Sequence, residues 1–292
     1  MDVLIVGCGY LGRRAAAKWL AGGHRVSALT RSATKADALR SSGIVPIIGN
    51  VLDPLTVAAL PAAEVLLIAL THDPASGVSK SALLVDGVAN LVQSARSRVR
   101  HVIHVSSTSV YGQSDGSWID ETSPTEPTTD GGQIALAAER KLQECCVALP
   151  NGCQSTVLRL AGIYGPGRLI ARVDQLRAGA PVAGSPDAWL NLIHVEDAAT
   201  CVCAAAAGSH TEPVLLICDD RPVTRGEFYS AIAREVGAPP PTFDPDSTAG
   251  RRTTGLNKRC RNARMHAELG VALRYPDSIA ALPDVIRASP TT

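Results

Sequence analysis

The sequence has almost no net charge to offer a polyanion: 28 Lys and Arg stand against 27 Asp and Glu, leaving +1. A nucleic-acid partner needs a concentrated basic surface, so none is expected, and 46% hydrophobic residues argue against disorder. No apolar run approaches the roughly 20 residues that span a bilayer. The acidic-led apolar start, Asp2 to Val6, reads as a strand rather than a signal peptide. These absences predict a cytoplasmic globular protein with no membrane partner. The eight cysteines include no CxxC pair and have no histidine at zinc-ligand spacing, so no metal site is expected. Reduced, mostly buried thiols are expected instead. No internal repeat or low-complexity linker interrupts the 292 residues, a length that permits one large domain or two unequal ones.

What is present is alternation. Apolar runs at Asp2 to Val6, the HRVSALTR segment, Ile44 to Ile48, Val65 to Leu70 and His101 to Ser106 are separated by stretches of helical periodicity, among them Leu11 to Leu20 and Ala82 to Ala95. Strand and helix in alternation imply right-handed crossovers and a parallel sheet, so the predicted class is α/β, a doubly wound parallel sheet. Residues 1–160 are assigned to this sheet. Residues 161–292 are less regular and are read as a smaller α/β lobe interleaved with it, with helices at Thr224 to Val236 and near Asn262 to Leu269.

Gly7-Cys8-Gly9-Tyr10-Leu11-Gly12 is a GxGxxG between the first strand and the first helix. Gly7 suits a tight turn, Gly9 lets backbone amides approach a pyrophosphate, and Gly12 lets helix and strand pack closely. The helix N-terminus adds the positive end of its dipole. A dinucleotide is the implied cofactor, with Tyr10 and Leu11 beside its phosphates. The second strand ends Leu29-Thr30-Arg31-Ser32, where NAD-preferring proteins place an acid for the ribose hydroxyls. No acid is there, and Arg31 suits a 2′-phosphate, so NADP(H) is favoured over NAD(H). Asn50, Leu70, Thr71 and Ser106, at the carboxyl ends of later strands, complete the candidate cofactor set with Thr30. Cys8 reads either as a small side chain that fits or as a thiol activated by the helix dipole.

The stretch PTTDGGQIALAAER, Pro127 to Arg140, reads as a helix start: Asp130 is a candidate N-cap and Gln133 a capping-box partner. Ile134, Ala138, Leu142, Cys145 and Leu149 form one apolar stripe, and Pro150-Asn151-Gly152 is expected to stop the helix.

HVIHVSSTSVYGQSDGSWIDETSPTEP (101–127), LRLAGIYGPGR (158–168), LIHVEDAA (192–199) and NKRCRNARMHAELGVALRYP (257–276) together resemble the extended short-chain dehydrogenases/reductases, the NAD(P)-dependent epimerase/dehydratase family. The resemblance implies a nucleotide-binding domain, a C-terminal substrate lobe, and oxidation, reduction, epimerisation or dehydration of a small-molecule substrate. It also implies a Ser or Thr at Ser107, then a Tyr and a Lys one helical turn apart. In the family, that Lys lowers the Tyr pKa and the phenol moves the substrate's proton. Here those two positions are Gly131 and Ala135, as in the atypical YeeZ-like subgroup, and no shift of register restores the pair. Thr108 and Ser109 replace the acid pair of the family's dehydratases, which argues against dehydration.

Two functions follow: an NADP(H)-dependent oxidoreductase or epimerase in which another group moves the proton, or an NADP(H)-binding sensor without turnover. His72, Tyr111 and Tyr164 are the replacement candidates. His72 also reads as a solvated loop residue, and the two tyrosines as packing residues. Arg159 and Arg168 are candidate anion receivers, His194 a support for the lobe junction, and Asp197 a helix cap. The resemblance implies that a homodimer through Ala82 to Ala95 and the helix after Asp130 is open to this chain; the oligomeric state is not fixed by the sequence. The substrate stays open.

Overall fold

The computed structural model describes residues 1–95, 99–149, 153–208, 210–247 and 256–289. The expected helix stop at residues 150–152 lies outside the described residues. Strands β1 (Asp2–Val6), β2 (Arg25–Thr30), β3 (Val45–Ile48), β4 (Val65–Ile68) and β5 (His101–Ser107) precede a short β6 (Trp118–Ile119) and then β7 (Gln154–Leu160). The short strands β8 (Gly162–Tyr164), β9 (Val182–Ala183), β10 (Trp189–Leu190) and β11 (Leu192–His194) lead to β12 (Val214–Ile217). Among the described residues, seven strands make one parallel sheet in the order β12-β7-β5-β4-β1-β2-β3. Residues 214–217 thus return from the second half of the chain to the sheet built by the first.

Period-two alternation sends β1 side chains to two different cores. Val3 and Ile5 pack with Ala15, Ala16 and Trp19 of helix α1 (Tyr10–Ala21), while Leu4 and Val6 face Leu91, Val92 and Leu142 on the other side. A sheet covered on both faces needs the near-continuous apolar strands seen in the sequence. The remaining helices are α2 (Ala33–Ser41), α3 (Pro54–Ala58), α4 (Gly87–Ala95, entered through a π-helical turn at Ala82–Asp86), α5 (Asp130–Val147), α6 (Ile170–Arg177), α7 (Val195–Ala206), α8 (Arg225–Glu235), α9 (Ala263–Leu269) and α10 (Ser278–Arg287). A third, smaller core holds Tyr164, Leu169, Phe228, Ile232, Leu282 and Val285. Helix α10, capped by Asp277, was not foreseen from the sequence, where Pro283 masks its periodicity.

The start of α5 differs from the expected one. Thr129 is the N-cap, accepting from Gly132 N at 3.1 Å, and Asp130 is the first helical residue. The change follows from Gly132: a Cβ there would lie 2.2 Å from the Ser109 carbonyl oxygen, so only glycine allows the helix to come this close. Asp197 is no cap either. It lies inside α7 and accepts from Arg274 N and Tyr275 N at 2.9 and 2.8 Å, while His194 Nδ1 caps the helix by accepting from Glu196 N.

Helix α5 is tied to the sheet by a buried ion pair. Arg159 on β7 donates to both Glu139 oxygens, with Nη2 to Oε2 at 2.7 Å, and its Nη1 donates to the Tyr111 hydroxyl at 2.8 Å. The Ser106 hydroxyl donates to Glu139 as well. Removing one partner leaves the other charge buried and unpaired. Glu139→Ala is expected to lower the unfolding free energy by about 3–5 kcal/mol in urea denaturation, and Glu139→Leu with Arg159→Met to recover most of the loss. Equal stability of the single and double variants would show that the charge pair is not what holds α5.

Candidate functional site

The sheet order reverses at β1, whose neighbours are β4 on one side and β2 on the other. Loops after β1 and β4 therefore run to opposite faces and open a crevice at the carboxyl ends of the strands. Gly7 turns the chain there with φ 99°, and a Cβ on it would lie 2.3 Å from the Ala69 carbonyl oxygen. No other residue fits. Beyond it the space is open: a Cβ on Gly9 would meet nothing within 4 Å.

A cavity of about 420 Å³ follows this crevice. One wall is the glycine loop, Gly7 to Gly9, at the N-terminus of α1, which has no side-chain cap and no acid in its first turn. Unpaired N–H groups and a positive dipole end suit a pyrophosphate. The groove continues past Thr30, Arg31 and Ser32 to Asn50 on one side, and past Leu70, Thr71 and Leu83 on the other. Thr30 Oγ1 accepts from Ser32 N at 3.3 Å and Asn50 Oδ1 from Leu52 N at 3.1 Å, so both side chains brace the loops that form the wall.

Three cations, Arg13, Arg31 and Lys35, line the groove; all are exposed and form no ion pair among the described residues. Ser32 caps α2 beside them, accepting from Lys35 N at 3.3 Å. Arg13 and Lys35 were missed from the sequence. Their signal was available, since Arg13 follows the last glycine of the motif and Lys35 stands one helical turn after Arg31. The open glycine cradle, the uncapped helix end and the cation cluster together fit a dinucleotide phosphate set. A bound nicotinamide dinucleotide supplies or accepts a hydride, and these residues hold and orient it.

Several expected site residues do something else. Tyr10 points away from the groove: its hydroxyl donates to the Pro166 carbonyl at 2.9 Å, and its ring lies 4.1 Å from the Arg14 guanidinium carbon and 4.4 Å from that of Arg168. It ties the glycine loop to the turn at 165–168, and Arg168 is stacked rather than free. Leu11 and Gly12 are buried in the α1 packing, so only backbone there could meet a ligand. Ser106 spends its hydroxyl on Glu139, and Arg159 is consumed by the same carboxylate, which removes both from the cofactor and anion sets. Burial pushes the Cys8 thiol up to about 11, against an activated thiolate.

At the carboxyl end of β5, Ser107 Oγ accepts from Ser109 N at 3.1 Å and keeps its proton for donation. His72 Nε2 meets the Val78 carbonyl at 2.8 Å; the oxygen can only accept, so the proton sits on Nε2 and the ring braces its own loop. Tyr111 is fully buried and pushed up to about 12, mainly by burial. Tyr164 is buried and also pushed up, by burial and by Asp219 beside it. Both tyrosines are packing residues. Gly131 and Ala135 stand half-buried on α5, with neither phenol nor ammonium of their own.

The fold and the groove define a dinucleotide-binding α/β protein. The family model for the NAD dependent epimerase/dehydratase family matches residues 3–216, and the chain belongs to that family. Protein YeeZ of Escherichia coli K12 is 33% identical over 95% of this chain and 97% of its own. A conserved protein of unknown function from Silicibacter pomeroyi is 32% identical, with a TM-score of 0.79 and 97% of each chain covered. A 3-diazoavenalumate denitrifying reductase from Streptomyces is 27% identical over 86% of each chain. Among the described residues, no helix is long and apolar enough to cross a membrane, and no cluster of three His, Cys, Asp or Glu side chains could hold a metal.

At the sheet edge, Asp219 follows β12 and is buried, its Oδ1 accepting from His194 N at 3.2 Å. Burial raises its carboxyl to about 8, against the opposing pull of the His194 N–H and Tyr164. The native state therefore keeps a proton that the unfolded chain releases above about pH 4. Stability from this group is full below that pH and falls as pH rises toward about 8. Asp219→Asn stays neutral throughout, so its unfolding free energy relative to wild type should climb between pH 5 and pH 8 in urea titrations. A constant difference would place the Asp219 carboxyl in its ordinary range.

Proposed function

We propose that this protein is an NADP(H)-dependent oxidoreductase or epimerase acting on a small carbonyl or sugar-like substrate without the family's Tyr-Lys pair. The observation that carries the reading is the groove itself, which runs from an uncapped helix N-terminus to an acid-free cluster of Arg13, Arg31 and Lys35. A 2′-phosphate adds charge where those cations have no protein partner, whereas the ribose diol of NAD(H) needs an acceptor that the strand end does not provide. Hydride transfer depends chiefly on positioning and an oriented carbonyl, so loss of the phenol weakens the reaction without abolishing it. The reductase activity named for the Streptomyces relative is consistent with reductive chemistry on this scaffold.

A second reading has one observation in its favour: the positions for phenol and ammonium are Gly131 and Ala135. On that reading the protein binds NADP(H) and reports its level to a partner. A cytoplasmic homodimer through α4 and α5 suits either function.

Calorimetric titration of NADPH and NADH separates the cofactors. Wild type is expected to prefer NADPH, and Arg31→Asp to lose about 10- to 100-fold toward NADPH with little change toward NADH, the range of a charge-assisted hydrogen bond or two. Equal wild-type affinities for the two cofactors would remove the NADP(H) preference. NADPH oxidation with a panel of aldehydes, ketones and keto-sugars then separates enzyme from sensor: tight binding without turnover favours the sensor.

A further inference from the structure

Where the family carries its tyrosine, this chain has Gly131, and a different element fills the space. A Cβ built on Gly131 would lie 3.0 Å from the Lys80 ammonium nitrogen, with no other atom beyond the local chain within 4 Å. Lys80 is half-buried and makes no hydrogen bond or ion pair among the described residues. We propose that Lys80 replaces the missing phenol: it is the cationic proton donor that meets the substrate's carbonyl oxygen at the nicotinamide end of the groove. This rests on the oxidoreductase reading above and names its substrate class, an aldehyde, ketone or keto-sugar.

The local structure holds Lys80 at this point. His72 Nε2–H bonds the Val78 carbonyl, and Asp73 caps the Pro74–Ser76 turn through Ala75 N at 3.0 Å. Gly77 then reverses the chain with φ 70°, and Ser79 Oγ accepts from Ala82 N at 3.0 Å to open the next helical run. Lys80 lies in that first turn, one turn before Leu83, which lines the groove. From the other side, Gly132 packs on the Ser109 carbonyl and Ser109 N bonds the Ser107 hydroxyl oxygen, so Gly131 and Ser107 belong to one rigid corner. The Lys80 ammonium and the Ser107 hydroxyl thus stand on elements that both meet the start of α5, and Leu83 joins the first of these elements to the groove.

An ammonium supplies in one group the charge and the proton that the phenol and lysine supply in two. In a reduction by the reduced nicotinamide dinucleotide, a hydride adds to the carbonyl carbon and the C=O π pair moves to oxygen. The Lys80 Nζ–H bond breaks as the O–H bond forms, leaving a neutral amine that water reprotonates. Ser107 donates a hydrogen bond to the same oxygen and fixes its position.

The test uses brief acetylation with acetic anhydride, read by peptide mass spectrometry, on the full chain with and without saturating NADPH. Binding is verified in the same sample by fluorescence. NADPH is expected to protect Lys80 several-fold while Lys141, half-buried like Lys80 but paired with Glu144 on α5, is unaffected. Lys80→Met should bind NADPH as wild type does, yet lose about 100-fold or more in kcat with the carbonyl panel, the scale of a lost general acid. Gly131→Ala, a mild change in a first helical turn, should push the ammonium aside and raise Lys80 acetylation. Unchanged Lys80 labelling in a sample that demonstrably binds NADPH, or wild-type turnover by Lys80→Met, overturns the assignment of Lys80. Failure to bind NADPH instead overturns the cofactor reading beneath it.

Discussion

Everything at the site depends on one close approach, the backbone of Gly7 against the backbone of Ala69. The two belong to loops that leave neighbouring parallel strands for opposite faces of the sheet, and a side chain between them would part the strand ends. With hydrogen there instead, the Ala69 N–H reaches the Val6 carbonyl at 2.8 Å and the two loops stay joined at their root. The crevice opens just beyond. Helix α1 then starts with its amides turned toward that crevice and with no side chain to satisfy them.

A second constraint sets where α5 lies. Glu139 is held by Arg159 from β7 and by Ser106 from β5, all out of water. This anchor is independent of residues 131 and 135, which explains how the helix keeps its place with only glycine and alanine there. Gly132 finishes the positioning by letting the first turn rest on Ser109. The corner that remains is narrow on the Ser109 side and open above Gly131, and Lys80 reaches into that opening.

The sheet and its helices were legible because their signals are local and repeated: apolar runs of strand length, helical stripes between them, and glycines at the one turn that needs them. Arg31 was legible as the residue standing where an acid was missing. Other assignments failed where a side chain had two physically reasonable partners. Ser106 and Arg159 both looked available to a ligand, yet a single carboxylate takes both. Asp130 reads as the cap of α5, but Thr129 takes that place in the fold, where the first turn packs against Ser109. Tyr10 followed the motif, but its ring faces Arg14 and Arg168 rather than the groove.

By itself, the sequence determined the α/β class and the glycine turn, and it placed glycine and alanine at 131 and 135, since each is written in residues adjacent along the chain. Only the tertiary structure decided which cations share the groove with Arg31, which polar groups are spent on one another, and what stands above Gly131. Those are questions of distance between elements far apart in sequence, and no periodicity or spacing encodes them. Lys80 carries no motif, and its place follows from the return of the loop after β4 to the foot of α5.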